Sequence, residues 1–143
     1  MALSMQELAR LSALAAALLD MAAALAHFAC IAWGARGLRL MGAGERMARM
    51  AESGHWYPPL VSAAIGAALS LLAACALAAA GLLGPLPFMR QGLAGAGLVF
   101  LARAVAFPWL RPRFPENSDR FWHVSSALCL ALGLLHLAAA LGR

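Results

Sequence analysis

Four long apolar runs separated by polar or proline-broken stretches organise the chain. The first, Leu11 to Trp33, reads LSALAAALLDMAAALAHFACIAW and has two ionisable interruptions, Asp20 and His27. An α-helix rises about 1.5 Å per residue, so a run of this length matches the roughly 30 Å hydrocarbon core of a bilayer. Three further runs follow, and the pattern predicts helices over about 11–33, 59–83, 88–109 and 121–141. The expected fold is all-α: a polytopic, up-down-up-down bundle of four transmembrane helices forming one domain over residues 1–143.

The intervening segments support that division. Residues 1–10 form a short polar lead, with Ser4 and Glu7 at capping-box spacing. Gly34 to Tyr57 is the longest polar stretch. Within it, Glu45 to Ser53 predicts a short interfacial helix, with Glu45 and Arg49 paired at i,i+4 and Met47, Met50 and Ala51 on an apolar side. Pro59 opens the second long helix, as proline does in a first turn. Gly84-Pro85-Leu86-Pro87 is a tight break, which predicts antiparallel neighbours on either side. Pro108, Pro112 and Pro115 break the chain again before the fourth helix. Small-residue stripes, Ser62/Gly66/Ser70 and Gly92/Ala96, permit close packing within one bundle or between copies in a homo-oligomer.

Composition changes the picture in one respect, by making a water-soluble monomer untenable. Of 143 residues 64% are apolar and 12% charged, against about 45–50% and about 25% in a soluble domain. All eleven basic residues are Arg, and the abundance of Ala and Arg reads as GC-rich coding bias. The net charge of +5 does not imply nucleic acid, because the arginines lie in short loops between apolar runs. Seven of them (Arg36, Arg39, Arg46, Arg49, Arg111, Arg113, Arg120) fall in the two long loops, against Arg10, Arg90 and Arg143 on the other side. That asymmetry predicts a plasma (bacterial inner) membrane protein with both long loops cytoplasmic and both termini outside. Trp33, Trp56, Trp109 and Trp122 all fall at the loop ends of the predicted helices, where indole rings form interfacial belts. The first run exceeds a signal-peptide core and is preceded by Arg10 alone, so it reads as retained.

Chemistry is confined to a few polar residues inside the apolar runs. Asp20 and His27 are two helical turns apart and share a face, and so do Cys129 and His136. Counted from the tryptophans, His27, Arg103, Ser125 and Ser126 form a layer roughly 5–10 Å below the loop-side surface, with Asp20 and His136 deeper. A first and last helix that neighbour in a bundle would allow Asp20 and His136 to pair. Ionisable groups at that depth are expensive and mark functional paths. The functional reading is a polar cavity with Asp20, His27, Arg103, Ser125, Ser126 and His136 as ligand-binding residues. Arg49, Glu52, His55, Tyr57, Asp119 and His123 would form its mouth. In the structural alternative Arg103 snorkels to headgroups, the serines bond to helix backbone, and Asp20–His136 is a buried specificity pair. Cys30, Cys75 and Cys129 read as small core residues, and no metal site is expected. Haem is set aside because His27 and His136 differ in depth.

The residues FLARAV (Phe100 to Val105) and FPENSDRFWHVSSALCLALGLLH (Phe114 to His136) resemble a family of uncharacterised small four-helix bacterial membrane proteins. The shared features are an Arg-Ala late in the third helix and the run Ser126, Cys129, Leu130, Gly133. That resemblance implies fold and location, with no reaction to transfer. A second one is to the glutathione-dependent four-helix membrane enzymes (MAPEG-type). Arg46, Arg49 and Pro58 are similar to their loop-to-helix motif, and Arg103 and Arg120 to their arginines in the third and fourth helices. Glu52 and His55 stand where that motif carries Asn and Glu. The resemblance implies glutathione as a cofactor; otherwise no cofactor is expected. Small multidrug exporters share four helices and an acid in the first, although they use Glu and have shorter loops.

The leading expectation is a small integral membrane protein that binds a lipid or other amphipathic small molecule in a polar cavity open to the cytoplasm, with Arg103 meeting an anionic headgroup. The alternatives are a glutathione-dependent membrane enzyme and a small proton-coupled transporter using Asp20. A purely structural subunit is the remaining class.

Overall fold

The structure, a computed structural model, describes residues 4–142, so the counting of Arg143 falls outside it. It is all-α: α1 Met5–Trp33, α2 Ala35–Leu40, α3 Glu45–Glu52, α4 Tyr57–Ala79, α5 Met89–Val105, α6 Phe107–Leu110 and α7 Asp119–Leu141, with a 3-10 turn at Arg111–Arg113. Helices α1, α4 and α7 are each long and apolar enough to cross a membrane. Helix α5 reaches that standard only together with α6 and the following turn, from which it is bent by 60°.

Each boundary has a local cause. Ser4 Oγ accepts the Glu7 N–H at 3.2 Å and the Glu7 carboxylate accepts the Ser4 N–H at 2.8 Å, so the capping box starts α1 at Met5, six residues before the apolar run. Helix α1 ends at Gly34, whose φ of 58° leaves the helical region. The segment 35–40, expected as loop, turns back into the six-residue α2. Helix α4 begins at Tyr57, with Pro58 and Pro59 in its first turn, and stops at Ala79 ahead of Gly81 (φ 78°), short of Leu83. The third helix does not run unbroken to Trp109: the Pro108 ring lacks an N–H and clashes with a carbonyl one turn back, and the helix ends at Val105.

Pairings between helices set the topology. Phe28 of α1 packs on Gly66 of α4, while Ala13, Ala16 and Ala17 share a core with Cys75, Ala76 and Ala80. Low numbers on α1 therefore meet high numbers on α4, and the two run antiparallel. On α7, Ala9 meets Gly142 and Asp20 meets His136, again antiparallel to α1. Between α5 and α7 the pairs are Arg90 with Ala140, Gly97 with Gly133 and Arg103 with Ser125. The four long helices thus form a ring in which α1 touches α4 and α7, and α5 touches α7 and α4.

The apolar core lies toward the short-loop end, built on alanines with Leu93 fully buried among them. The Ser62/Gly66/Ser70 stripe is spent inside the chain: Ser62 is buried, Gly66 receives Phe28, and the Ser70 hydroxyl donates to the Gly66 carbonyl. Gly92, by contrast, meets nothing within 4 Å. Close approach of α5 is made at Gly97 instead. Exposed leucines, valines and isoleucines cover the outside of α1, α4, α5 and α7.

Candidate functional site

The buried polar centre is a pair. His136 on α7 places Nε2 2.9 Å from Oδ2 of Asp20 on α1, and both residues are 0% exposed. The other ring nitrogen, Nδ1, lies 2.7 Å from the carbonyl of Leu132 one turn back. Oδ1 of Asp20 is buried and has no hydrogen-bond partner among the described residues. Around the pair the chain puts alanine: Ala16, Ala17 and Ala24 flank Asp20 on its own helix, and Ala139 and Ala140 follow His136, all buried. Phe100 of α5 lies over the imidazole, ring centroids 5.3 Å apart.

Arg103 lies elsewhere, at the loop end of α5 against the first turns of α7. Its Nη2 donates to Ser125 Oγ at 3.1 Å, and its guanidinium carbon sits 5.1 Å from the Trp122 ring centroid. No carboxylate pairs with it among the described residues. Its Nη1 is buried without a partner, and so are Trp122 Nε1 and Ser126 Oγ. Trp122, Ser125 and Ser126 are at i, i+3 and i+4, one patch of α7. Trp122 is 3% exposed, while Trp33, Trp56 and Trp109 are 59, 65 and 73% exposed. Trp122 is therefore not an exposed ring like the other three; it is the plate on which Arg103 lies, edged by Phe114 and Phe121.

The remaining expected site residues disperse. His27 is half-buried and bonds its Nδ1 to the Ala23 carbonyl at 2.8 Å. His123 does the same with the Asp119 carbonyl, and Asp119 forms an ion pair with Arg111. Glu52 and Glu45 both bind Arg39: Nε and Nη2 hold Glu45 at 2.9 and 2.7 Å, and Nη1 holds Glu52 at 2.8 Å. The expected Glu45–Arg49 pair thus gives way to Arg39, whose planar fork grips a carboxylate with two donors. This is also why Glu45 titrates below the usual carboxylate range, the Arg39 hydrogen bonds being the main cause. Arg49 is exposed on α3, which packs against α2 and α4, whereas Arg103 packs on α7.

A clasp joins the two long loops. Glu116 Oε1 accepts the Glu45 N–H at 2.6 Å, and Asn117 Nδ2 donates to the Gly42 carbonyl at 3.2 Å. Phe121 and Phe114 press on Gly42 and Gly44, both at positive φ, where a Cβ would collide with the rings. Beside the clasp lies a cleft of about 780 Å³ whose lining includes Arg46, Met47, Met50, His55, Tyr57, Arg113 and Phe114. The sequence reading missed Arg113, Phe114 and Glu116. The one available signal was their place in a proline-broken loop too short to stray from its neighbour.

No described protein family, curated protein or solved structure matches the chain. Among the described residues no three of His, Cys, Asp and Glu are grouped to hold a metal ion. The arrangement offers two chemistries: exchange of a proton at Asp20–His136, and donation of hydrogen bonds to an anion at the loop end.

Proposed function

We propose that the chain is a four-span integral membrane protein that binds an anionic amphipathic molecule of lipid type at its loop end. In this reading α5, α6 and the following turn together make the fourth span, and the loops bearing seven arginines face the cytoplasm. One observation carries the binding reading. Among the described residues Arg103 is a cation without a carboxylate, and it shares its patch of α7 with two further polar groups, on Trp122 and Ser126, that also lack partners. Buried polar groups are ordinarily paired, so a cluster whose unmet capacity includes two N–H groups fits an absent acceptor. A phosphate or carboxylate headgroup supplies one, and charge-assisted bonds to Arg are the stronger kind. The nearby cleft suits the rest of such a ligand, with Arg46 and Arg113 beside Met47, Met50 and Phe114.

Native mass spectrometry of gently solubilised protein tests this. The expected result is a discrete lipid adduct that Arg103→Ala loses while circular dichroism stays helical; undiminished occupancy in that variant refutes the reading. Titration calorimetry with glutathione separates the enzyme alternative, which requires heat of binding that depends on both Arg49 and Arg103.

A further inference from the structure

The Asp20–His136 contact fixes a proton count. A neutral imidazole has one N–H and one bare nitrogen. Nδ1 faces the Leu132 carbonyl, which only accepts, so Nδ1 carries a hydrogen. Nε2 then faces a carboxyl oxygen at 2.9 Å, and a hydrogen bond there needs a second proton, on Nε2 or on Oδ2. In either placement the pair is neutral overall and holds one proton more than an ionised Asp beside a neutral His. Removing that proton leaves two lone pairs facing each other and one net negative charge among alanines and Phe100, where an unpaired charge is strongly disfavoured.

We propose that Asp20 and His136 are one proton-binding site, and that its proton holds the seam between α1 and α7 closed. Deprotonation is relieved by admitting water between the two helices, so proton release and seam opening are one event. This does not depend on what the loop end binds. The surroundings leave the pair to act alone. Helix α4 contributes only Tyr57 at its first residue and Cys75. Helix α5 contributes Arg90, bonded to the Ala140 carbonyl, and Arg103, bonded to Ser125. The other groups on α1 are Glu7, Arg10, His27 and Cys30, and on α7 Asp119, Arg120, His123 and Cys129; none hydrogen-bonds to the pair. His27, two turns nearer the long loops on the same face of α1, is the next titratable group toward that surface.

The test is hydrogen–deuterium exchange of α1 and α7 amides in lipid vesicles from about pH 5 to about pH 10, corrected for the intrinsic rate. One proton released per opening makes the open population rise about tenfold per pH unit while the open form is the minor one, levelling off above the midpoint. In Asp20→Asn the carboxamide N–H donates to Nε2 and cannot be lost, so the rise should vanish. A wild-type profile flat after correction overturns the proposal, and so does an Asp20→Asn profile that still rises. A second measurement needs no variant: the ¹⁵N resonances of His136 should change over the same pH interval as the exchange. Resonances constant across it overturn the proposal.

Discussion

Gly97 of α5 and Gly133 of α7 cross backbone against backbone: a Cβ on Gly133 would lie 3.0 Å from the Gly97 carbonyl oxygen, and one on Gly97 3.1 Å from the Gly133 carbonyl oxygen. In the proposed membrane setting, with no water to expel between apolar helices, such close approach is a main source of association. A side chain here meets backbone, which cannot swing aside. Gly97→Val should therefore cost about 1–3 kcal/mol by overpacking, whereas Gly92→Val, into open space, should stay within about 0.5 kcal/mol. Detergent-denaturant unfolding of the two variants checks the contrast; equal losses would place the α5–α7 crossing elsewhere.

Asp20→Ala removes one partner of a fully buried pair and leaves His136 Nε2 facing a void. Breaking a buried ionisable pair in that way costs about 3–5 kcal/mol. Asp20→Asn keeps shape and a hydrogen-bond donor and should cost less than half as much as Asp20→Ala in the same unfolding assay. Similar losses in the two would show that the carboxyl group itself, rather than its volume or a neutral hydrogen bond to Nε2, holds α1 to α7 at this level.

How much of this was legible in sequence follows from which forces act locally. The apolar runs, the Ser4–Glu7 cap, the Gly84–Pro87 break and the α3 helix are local signals, and each is found in the structure. The Asp20–His136 contact was readable because depth along a helix is countable, and two residues at one depth on neighbouring helices can meet. Failures came where a distant partner outbid a local one. Glu45 chose Arg39 over Arg49, and Trp122 turned inward because Arg103, Phe114 and Phe121 surround it. The α5 break was signalled by Pro108, but hydropathy alone carried the helix past it. Rotation about a helix axis is also unreadable from depth, which is why Gly97 rather than Gly92 makes the crossing.

The four tryptophans divide into three exposed rings and one buried. Proteins retaining a single Trp should show Trp33, Trp56 and Trp109 quenched by an aqueous quencher or by interfacial brominated lipid. Trp122 alone should be shielded and blue-shifted. Releasing its Arg103 lid by Arg103→Ala should raise Trp122 quenching without changing the other three. An accessible Trp122 in the unaltered protein would contradict the packing described for the loop end.

Arg39 ties α2 to both ends of α3, and the sign of its pH dependence follows from Glu45. The Arg39 hydrogen bonds lower the Glu45 pKa below its ordinary value of 4.5, while the two carboxylates push the Arg39 guanidinium further up, so it stays charged throughout. A carboxyl whose pKa is lower in the folded loop contributes order that is present above the ordinary value and lost as pH falls through the lowered one. All three side chains are well exposed, so the same order should also weaken at high salt. Amide exchange over residues 35–52 should therefore be slow at neutral pH and speed up, relative to the intrinsic rate, once pH drops below about 4. In Arg39→Ala the segment should exchange fast already at neutral pH and gain little on acidification. An acid response of wild-type size in that variant would mean that Glu116 and Asn117 of the opposite loop, rather than Arg39, hold α3 in place.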